Sequence, residues 1–523
     1  MKYLLGTVLV ACVTCASIHA QDNGDRCQEL ASVQLDHAKV TRAALGTVAE
    51  LDEMKISNAA KIPAFCRVQI EDKPSTDSEI KTEVWLPLEG WNGRLRAQGN
   101  GGFAGAIYFA AMAETVRQGY ATVGTDTGHV GGKGDFALGH PEKVKDFGWR
   151  AVHDMTVQAK EVIKAFYGKA QEKSYFTSCS DGGREALMEA ERFPADYDGI
   201  LAGAPAYNWT GLLSGAAANM HLIETHVGSA LPAEKVPALA AAVRAACDAK
   251  DGVKDGVLND PRTCGFDPAT MVCKAGDAKD CLTPPQVETV KRLYRGTVDG
   301  SGKVVFPGLL PGSEEGRNGW TRWITGDSDE AAMKFYSSGY FSNFIFDDPK
   351  WTAKEFDFDR DYKLALTKTA DALDSTDANL TPFVSRGGKL VLYHGWNDPG
   401  IPALMTVDYY NAAVEKIGRS AADRSVRLYM VPGMQHCAEG PGATEFGQGM
   451  GPRGDAEHDV FTALEGWVEK ASAPGVLTAA KIEGKGAERK TVMTRPLCPY
   501  PQVAKYDGKG DVGKAGSFAC VVK

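Results

Sequence analysis

The feature that most constrains the fold of this chain is an alternation of β-rich and helical runs between residues 82 and 205. The runs 82–88 and 93–99 predict two strands, and a helical stretch follows at about 109–117. The strand predicted at 120–126 is followed by a helix at about 149–167, and the strand predicted at 175–180 by a helix at 181–193. Residues 197–205 are a further strand candidate. Such βα alternation predicts a mostly parallel sheet covered by helices, which is an α/β fold.

The alternation stops at about residue 207 and resumes with the strand-like runs 389–398 and 426–433. The intervening segment contains four cysteines, many aromatic residues and several Asp-Gly turns. At 523 residues the chain is long enough for one large domain with an insertion. We therefore predict a core domain formed by residues 21–206 and 387–523, interrupted by an inserted domain at 207–386.

The N-terminus has the pattern of a signal peptide. Lys2 provides a positive charge, residues 3–14 are largely apolar, and residues 17–20 offer small side chains for cleavage after Ala20. An alternative is lipidation of Cys12 in the segment L-V-A-C. Residues 1–20 are thus predicted to be a signal peptide, and the mature protein is expected to be secreted or periplasmic.

Charge and hydropathy limit the partners. The formal net charge is −9, which argues against nucleic acid or an anionic membrane as the main partner. No segment has 18 consecutive apolar residues, so we expect a soluble mature protein. The sequence makes no prediction of the oligomeric state.

The cysteines fit an exported protein. Twelve cysteines less Cys12 and Cys15 leave ten, an even number that fits five disulfides. Proximity in sequence suggests the pairs Cys247–Cys264, Cys273–Cys281, Cys498–Cys520 and Cys27–Cys66, which leaves Cys179 and Cys437 for each other. The alternative for Cys179 is a free thiol that acts as a nucleophile.

The segment F-T-S-C-S-D-G-G-R, residues 176–184, places Ser180 between a predicted strand and a predicted helix. It approximates the nucleophile elbow G-x-S-x-G, with Ser178 at the position of the first glycine. In such an elbow a sharp turn exposes the serine hydroxyl, and the N–H of the next residue, Asp181, can face a developing oxyanion. The alternative is an ordinary glycine-rich turn from strand to helix.

Two residues after later strands complete a catalytic set. Asp398 follows the run K-L-V-L-Y-H, and His436 follows the run V-R-L-Y-M. The order Ser, Asp, His is that of α/β-hydrolases, in which the histidine transfers the serine proton and the aspartate fixes its tautomer. The competing acids are Asp126, Asp347 and Asp348.

A second oxyanion donor is expected from the loop Q-G-N-G-G-F at residues 98–103, where Gly101 or Gly102 can present its N–H. A phosphate-binding loop is the rival interpretation, but no Lys-Ser/Thr pair follows and no G-x-G-x-x-G begins a helix. We therefore predict no organic cofactor.

These segments resemble the tannase and feruloyl esterase family, which includes the hydrolase of mono(2-hydroxyethyl) terephthalate. The matching pieces are C-S-D-G-G-R, G-N-G-G-F-A-G, Y-D-G-I-L-A-G-A-P-A-Y-N-W-T, F-D-F-D-R-D, G-W-N-D and H-C, spread over essentially the whole mature chain. The resemblance implies an α/β-hydrolase core with a lid domain, a disulfide between the cysteines that flank the serine and the histidine, and hydrolysis of aromatic acid esters. Ser178 departs from the family, which usually has glycine there.

The resemblance also implies a structural calcium ion in the lid, within the segment C-D-A-K-D-G-V-K-D-G-V-L-N-D at residues 247–260. The carboxylates of Asp248, Asp251 and Asp255 and the carbonyls of Val253 and Val257 would be its oxygen ligands. Without a metal, the same segment would be two solvated Asp-Gly turns.

Substrate choice is expected to lie with the lid. Its aromatic candidates are Trp320, Trp323, Tyr336, Tyr340, Phe341, Phe344 and Phe346, and Ile401 could border the same pocket. Such side chains can enclose a planar acyl ring, but they can equally form the lid's own core. The leading hypothesis is hydrolysis of hydroxycinnamate esters such as methyl ferulate, with galloyl esters and terephthalate monoesters as alternatives. A catalytically silent binding protein on the same fold is the alternative of a different class.

Overall fold

The computed structural model describes residues 24–326, 330–449 and 453–522, so the predicted signal peptide lies outside the described residues. The strands are β1 Ala38–Leu45, β2 Phe65–Asp72, β3 Ile80–Pro87, β4 Arg94–Gln98, β5 Ala121–Thr125, β6 Lys173–Cys179, β7 Gly199–Gly203, β8 Thr297–Val298, β9 Val304–Phe306, β10 Lys389–Gly395, β11 Val426–Val431, β12 Leu477–Glu483, β13 Lys490–Leu497, β14 Gln502–Tyr506 and β15 Phe518–Val522.

The described α-helices are α1 Val48–Glu53, α2 Phe109–Arg117, α3 Pro141–Lys145, α4 Ala151–Tyr167, α5 Asp181–Arg192, α6 Trp209–Thr225, α7 Val236–Cys247, α8 Pro284–Arg295, α9 Ala332–Tyr340, α10 Phe358–Leu373, α11 Thr381–Ser385, α12 Ala403–Ile417, α13 Arg419–Ser425 and α14 Val460–Lys470. In the part of the chain that the structure describes, none of them has the length and apolarity needed to cross a bilayer.

The central sheet has nine strands in the order β1-β2-β3-β5-β4-β6-β7-β10-β11. Neighbours from β5 to β11 are parallel, whereas β1, β2 and β3 form antiparallel pairs at one edge, and β3 pairs antiparallel with β5. The α/β prediction is confirmed. Strands β1 and β2 precede the alternating region, and their antiparallel pairing makes the sheet mixed.

The strand order places the predicted site at one edge of the sheet. Strands β6, β7, β10 and β11 are consecutive neighbours and all parallel, so their carboxyl ends lie on the same side. Cys179 at the end of β6 lies beside Gly203 of β7, and Gly395 at the end of β10 lies beside Val431 of β11. In open α/β sheets ligands bind at this carboxyl edge.

The chain between β7 and β10 is mostly helical and has its own apolar core. Helix α6 packs against α9 and α10, and the buried side chains between them form one cluster that also includes Phe103 and Phe147 from the other side of the site. The insertion therefore rests directly on the loops that follow β4 and β5. The division at 207–386 remains a prediction, because α6 contributes to both the insertion and the site.

All ten cysteines expected in the mature chain are paired. The five disulfides are Cys27–Cys66, Cys179–Cys437, Cys247–Cys264, Cys273–Cys281 and Cys498–Cys520. These are the pairs suggested by proximity and by the resemblance. Since Cys179 is bonded, the structure does not support its alternative role as a free thiol nucleophile.

Candidate active site

Ser180 occupies a sharp turn between β6 and α5. Its backbone dihedral angles are φ 68° and ψ −124°, a region that residues other than glycine rarely adopt. The Ser180 N–H donates to the Gly203 carbonyl at 3.0 Å, and the Ser180 carbonyl accepts from the N–H groups of Gly183 and Arg184. These bonds hold the strained turn, which projects the hydroxyl beyond the sheet as a nucleophile elbow requires.

The two glycines after the serine are required by close packing. A Cβ on Gly182 would lie 1.9 Å from Ser178 Oγ and 2.5 Å from the Asn100 carbonyl oxygen. A Cβ on Gly183 would lie 2.4 Å from the Gly203 carbonyl oxygen. Ser178 itself is accommodated, because its hydroxyl points to the Asn100 carbonyl at 3.4 Å in the space that Gly182 leaves free.

The structure brings the three predicted residues into one hydrogen-bonded chain. His436 Nε2 lies 2.8 Å from Ser180 Oγ, and His436 Nδ1 lies 2.8 Å from Asp398 Oδ2. Asp398 is 1% exposed, and its other oxygen accepts backbone N–H bonds from Gly400 and Ile401 at 2.8 and 2.9 Å. Burial alone would raise the pKa of Asp398, but the charge on His436 and the bonds from both neighbouring histidines hold it below its ordinary value.

The competing acids are engaged elsewhere. Asp126 accepts the backbone N–H groups of Lys81 and Gly128, and burial raises its pKa to about 6. Asp347 accepts from the Gly139 N–H, and Asp348 accepts from its own loop. Asp398 is the candidate that the structure places against His436.

A disulfide and the insertion hold the histidine loop. Cys179 and Cys437, which flank Ser180 and His436, have Cα atoms 6.0 Å apart. The Asn318 side chain donates to the His436 carbonyl at 3.2 Å, and the Trp323 ring meets the His436 imidazole edge-to-face at 4.8 Å. Both Asn318 and Trp323 belong to the insertion, so the insertion supports the imidazole directly.

The predicted oxyanion loop is anchored by Glu185, a residue that the sequence analysis did not single out. The Asn100 N–H donates to Glu185 Oε2 at 2.8 Å, and the Asn100 side chain donates to the carbonyls of Ala106 and Thr125. Burial and the nearby charge of Asp181 raise the pKa of Glu185 to about 8. The available signal was its position one helical turn after Asp181, on the face of α5 that carries the elbow.

Gly102 follows this anchored segment and lines the cavity together with Ser180. Its φ is +62°, and a Cβ there would lie 2.6 Å from the Tyr336 hydroxyl. Glycine is therefore needed at this position both for its backbone conformation and for the approach of the insertion.

The cavity above Ser180 is apolar. Its lining residues are Gly102, Ser180, Ala206, Trp209, Leu212, Leu213, Ala216, Trp323, Met333, Tyr336, Gly400, Ile401 and His436. None of these is a lysine, arginine, aspartate or glutamate. The sequence-based aromatic candidates thus divide: Trp323 and Tyr336 line the cavity, as does Ile401, whereas Trp320, Tyr340, Phe341 and Phe344 lie in the core of the insertion and Phe346 stacks on Trp351 beside it.

The segment proposed to hold calcium is an oxygen-rich loop closed by its own backbone. Asp248, Asp251 and Asp255 each accept N–H groups from within the loop, and Asp255 also pairs with Arg495. Burial, with the charges of Asp255 and Asp248, raises the pKa of Asp251. Among the residues that the structure describes, the buried Oδ1 of Asn259 has no hydrogen-bond partner. Carboxylate and amide oxygens are the ligand types that calcium prefers, and the calcium site in this loop stays a prediction.

The mostly parallel sheet covered by helices, the strained turn at Ser180 and the hydrogen-bonded serine, histidine and aspartate are those of an α/β-hydrolase. Residues 66–521 match the family described as tannase and feruloyl esterase. The chain therefore belongs to the tannase and feruloyl esterase family and is a carboxylic ester hydrolase.

Individual relatives agree with this assignment. The chain is 38% identical over 491 residues to an uncharacterized esterase of Xanthomonas campestris pv. campestris, covering 88% of this chain and 85% of that protein. It is 34% identical over 466 residues to a probable feruloyl esterase B-2 of Aspergillus terreus, covering 87% and 86%. The crystal structure of feruloyl esterase B from Aspergillus oryzae is similar with a TM-score of 0.85 and 29% identity, covering 95% of this chain and all of that one.

Proposed function

We propose that this protein is an exported serine esterase that hydrolyses aromatic acid esters, with feruloyl and related hydroxycinnamoyl esters as its substrates. The main support for this proposal is the chain of 2.8 Å contacts from Ser180 through His436 to Asp398 at the base of an apolar cavity. Relatives named as probable feruloyl esterases support the acyl group. Five disulfides fit export to an oxidising compartment, secreted or periplasmic.

Hydrolysis proceeds in two steps through an acyl-enzyme. His436 Nε2 accepts the Ser180 proton as Oγ attacks the ester carbonyl, and the resulting imidazolium then protonates the departing alcohol. Asp398 holds the proton on Nδ1, so that Nε2 is free to act as the base. In the second step His436 activates water, which attacks the acyl carbonyl and releases the acid and Ser180.

The oxyanion of each tetrahedral intermediate faces two backbone donors. The first is the N–H of Asp181, at the start of α5, where the helix dipole also favours negative charge. The second is the N–H of Gly101 or Gly102, in the loop that Glu185 anchors through Asn100. Asp181 is not among the residues that line the cavity, and its carboxylate pairs with Arg184 at 2.6 Å, which offsets its charge.

The cavity favours a neutral aromatic acyl group. Trp209, Trp323 and Tyr336 can enclose a planar ring, and the Tyr336 hydroxyl can bond a ring substituent. A terephthalate monoester would carry its free carboxylate into a cavity whose described lining has no cation, and burying an unpaired charge is costly. This favours hydroxycinnamate esters over terephthalate monoesters, while galloyl esters, which are also neutral, remain the second candidate.

Substrate selectivity tests this proposal. We expect kcat/KM for methyl ferulate to exceed that for monomethyl terephthalate by about 100-fold or more. Burying the unpaired carboxylate of the monoester costs about 3 kcal/mol or more of binding free energy. Dimethyl terephthalate is the matched control, since it has the same ring without the charge. Methyl gallate compares the galloyl alternative directly. If the monoester and the diester are hydrolysed equally well, a cation pairs with the carboxylate in the cavity and the proposed preference for neutral acyl groups is wrong.

We further propose that residues 207–386 act as a lid and that calcium stabilises it. The ligands would be the carboxylates of Asp248, Asp251 and Asp255 with the carbonyls of Val253 and Val257. The loop follows α7 and is tied to the C-terminal strands by the pair of Asp255 with Arg495, so the ion's part would be structural. Neither step of the ester hydrolysis above requires it.

Removal of calcium should lower Tm by several degrees and leave turnover nearly unchanged at temperatures where the protein stays folded. A ligand that binds the native state alone stabilises by about 2.7 kcal/mol at 100 times its Kd. Thermal melting with and without a chelator measures the effect, and Asp251→Asn should lose most of it. If calcium added to metal-free protein leaves Tm unchanged, the segment consists of plain Asp-Gly turns.

A further inference from the structure

A second histidine contacts the aspartate of the proposed triad. His394 lies at the end of β10, four residues before Asp398, and is completely buried. Its Nε2 is 3.1 Å from Asp398 Oδ2, the same oxygen that His436 Nδ1 approaches at 2.8 Å. His394 and the proposed catalytic base therefore contact the same carboxylate oxygen.

The surroundings of His394 fix which nitrogen carries its proton. Nε2 faces two acceptors, Asp398 Oδ2 and the Ile401 carbonyl at 3.2 Å, so it must be the N–H. Nδ1 lies 2.7 Å from Thr406 Oγ, and it accepts a hydrogen bond from that hydroxyl. Thr406 thereby holds the tautomer in which His394 donates to Asp398.

The two oxygens of Asp398 are held in different ways. Oδ1 accepts the N–H groups of Gly400 and Ile401, which belong to the loop that carries Asp398 itself. Oδ2 is the oxygen that meets the catalytic imidazole, and in the described residues its other donor is His394. His394 therefore fixes the plane of the carboxylate from the sheet side.

We propose that His394 is a positioning residue for ester hydrolysis, holding Asp398 Oδ2 in line with His436 Nδ1. The inference rests on the proposed triad of Ser180, His436 and Asp398. It acts through orientation, because a carboxylate free to rotate about its last bond presents Oδ2 to the imidazole for only part of the time. His394 also affects the electrostatic interaction between Asp398 and His436, since a carboxylate oxygen shared between two donors binds each of them less strongly.

A matched pair of variants separates this role from simple packing. His394→Gln places an amide N–H near the position of Nε2 and should keep the bond to Asp398. His394→Asn places its amide near Nδ1, where it can still bond Thr406, but it does not reach Asp398. We expect kcat to fall by about 10- to 100-fold in His394→Asn with KM within about twofold, and His394→Gln to recover most of the loss.

The pH profile provides a readout that a packing role would not change. When His394 no longer donates, Oδ2 is available to His436 alone and stabilises its imidazolium more, so the acidic limb of kcat/KM should move to higher pH by about half a unit to one unit. Among the described residues, the titratable side chains that hydrogen-bond Asp398 are His436 and His394, and Trp323 packs on His436 without charge.

The inference would be overturned if His394→Asn had the kcat of the wild type and an unshifted acidic limb of kcat/KM, while Tm fell equally in both variants. His394 would then be a packing residue. The same series includes Ser180→Ala. If Ser180→Ala keeps its activity, the triad itself is wrong, whereas an inactive Ser180→Ala with a fully active His394→Asn rejects the positioning role alone.

Discussion

Replacing Ser180 with alanine should abolish ester hydrolysis and leave the fold intact. The expected loss in kcat is at least about 10⁴-fold, because no group remains to form the acyl-enzyme. The substitution removes one oxygen atom at a strained position whose backbone bonds to Gly203 and Gly183 do not involve the side chain. Steady-state hydrolysis of methyl ferulate, labelling by a fluorophosphonate probe and thermal melting measure the three aspects of the effect.

The other triad residues provide graded comparisons. His436→Ala should be about as severe as Ser180→Ala, since Ser180 then has no base, while Asp398→Asn should be somewhat less severe because the base remains but in an unfavourable tautomer. Wild-type activity in folded Ser180→Ala would refute the proposed mechanism. Labelling of the wild-type protein at Ser180 would at the same time exclude a catalytically silent binding protein.

Replacing both Cys179 and Cys437 with serine should lower turnover by orders of magnitude at temperatures where the protein remains folded. The disulfide joins the residue before the nucleophile to the residue after the base, with Cα atoms 6.0 Å apart. It therefore helps to hold Ser180 Oγ and His436 Nε2 at the 2.8 Å that proton transfer needs. Mapping of non-reduced peptides should find the two cysteines in one linked fragment.

The stability effect of this disulfide must be separated from its effect on turnover. The bond spans 258 residues, for which chain entropy gives an upper bound of about 5 kcal/mol. The matched control is the double serine replacement of Cys498 and Cys520, whose disulfide lies between C-terminal strands. That variant should lose stability and keep its turnover. A free, alkylatable Cys179 in the active enzyme would contradict the proposed role and restore the thiol as a candidate nucleophile.

Much of the proposed active site could be predicted from short local sequence motifs. The sharp turn at Ser180 requires small residues at fixed offsets, and G-G at 182–183 is readable from sequence because the packing there excludes any Cβ. Asp398 and His436 were found from their positions just after predicted strands, because parallel strands place their carboxyl ends at one edge. Strands β1 and β2 were missed, since they precede the alternation and pair antiparallel.

The sequence predicted the α/β class and the candidates for nucleophile, base and acid, and proximity along the chain with the family resemblance suggested the five disulfide pairs. All of these depend on local turns, periodicity or short motifs. The tertiary structure was needed to show which aromatic residues of the insertion line the cavity: Trp323 and Tyr336 do, whereas Trp320 and Tyr340 are fully buried in the insertion. The cavity lining and the core of the insertion both remove an apolar side chain from water, so the pattern of apolar residues in the sequence does not distinguish the two locations. The contact of Glu185 with Asn100 likewise depends on how a helix meets the loop after a separate strand, and the contact of His394 with Asp398 depends on the turn that follows β10.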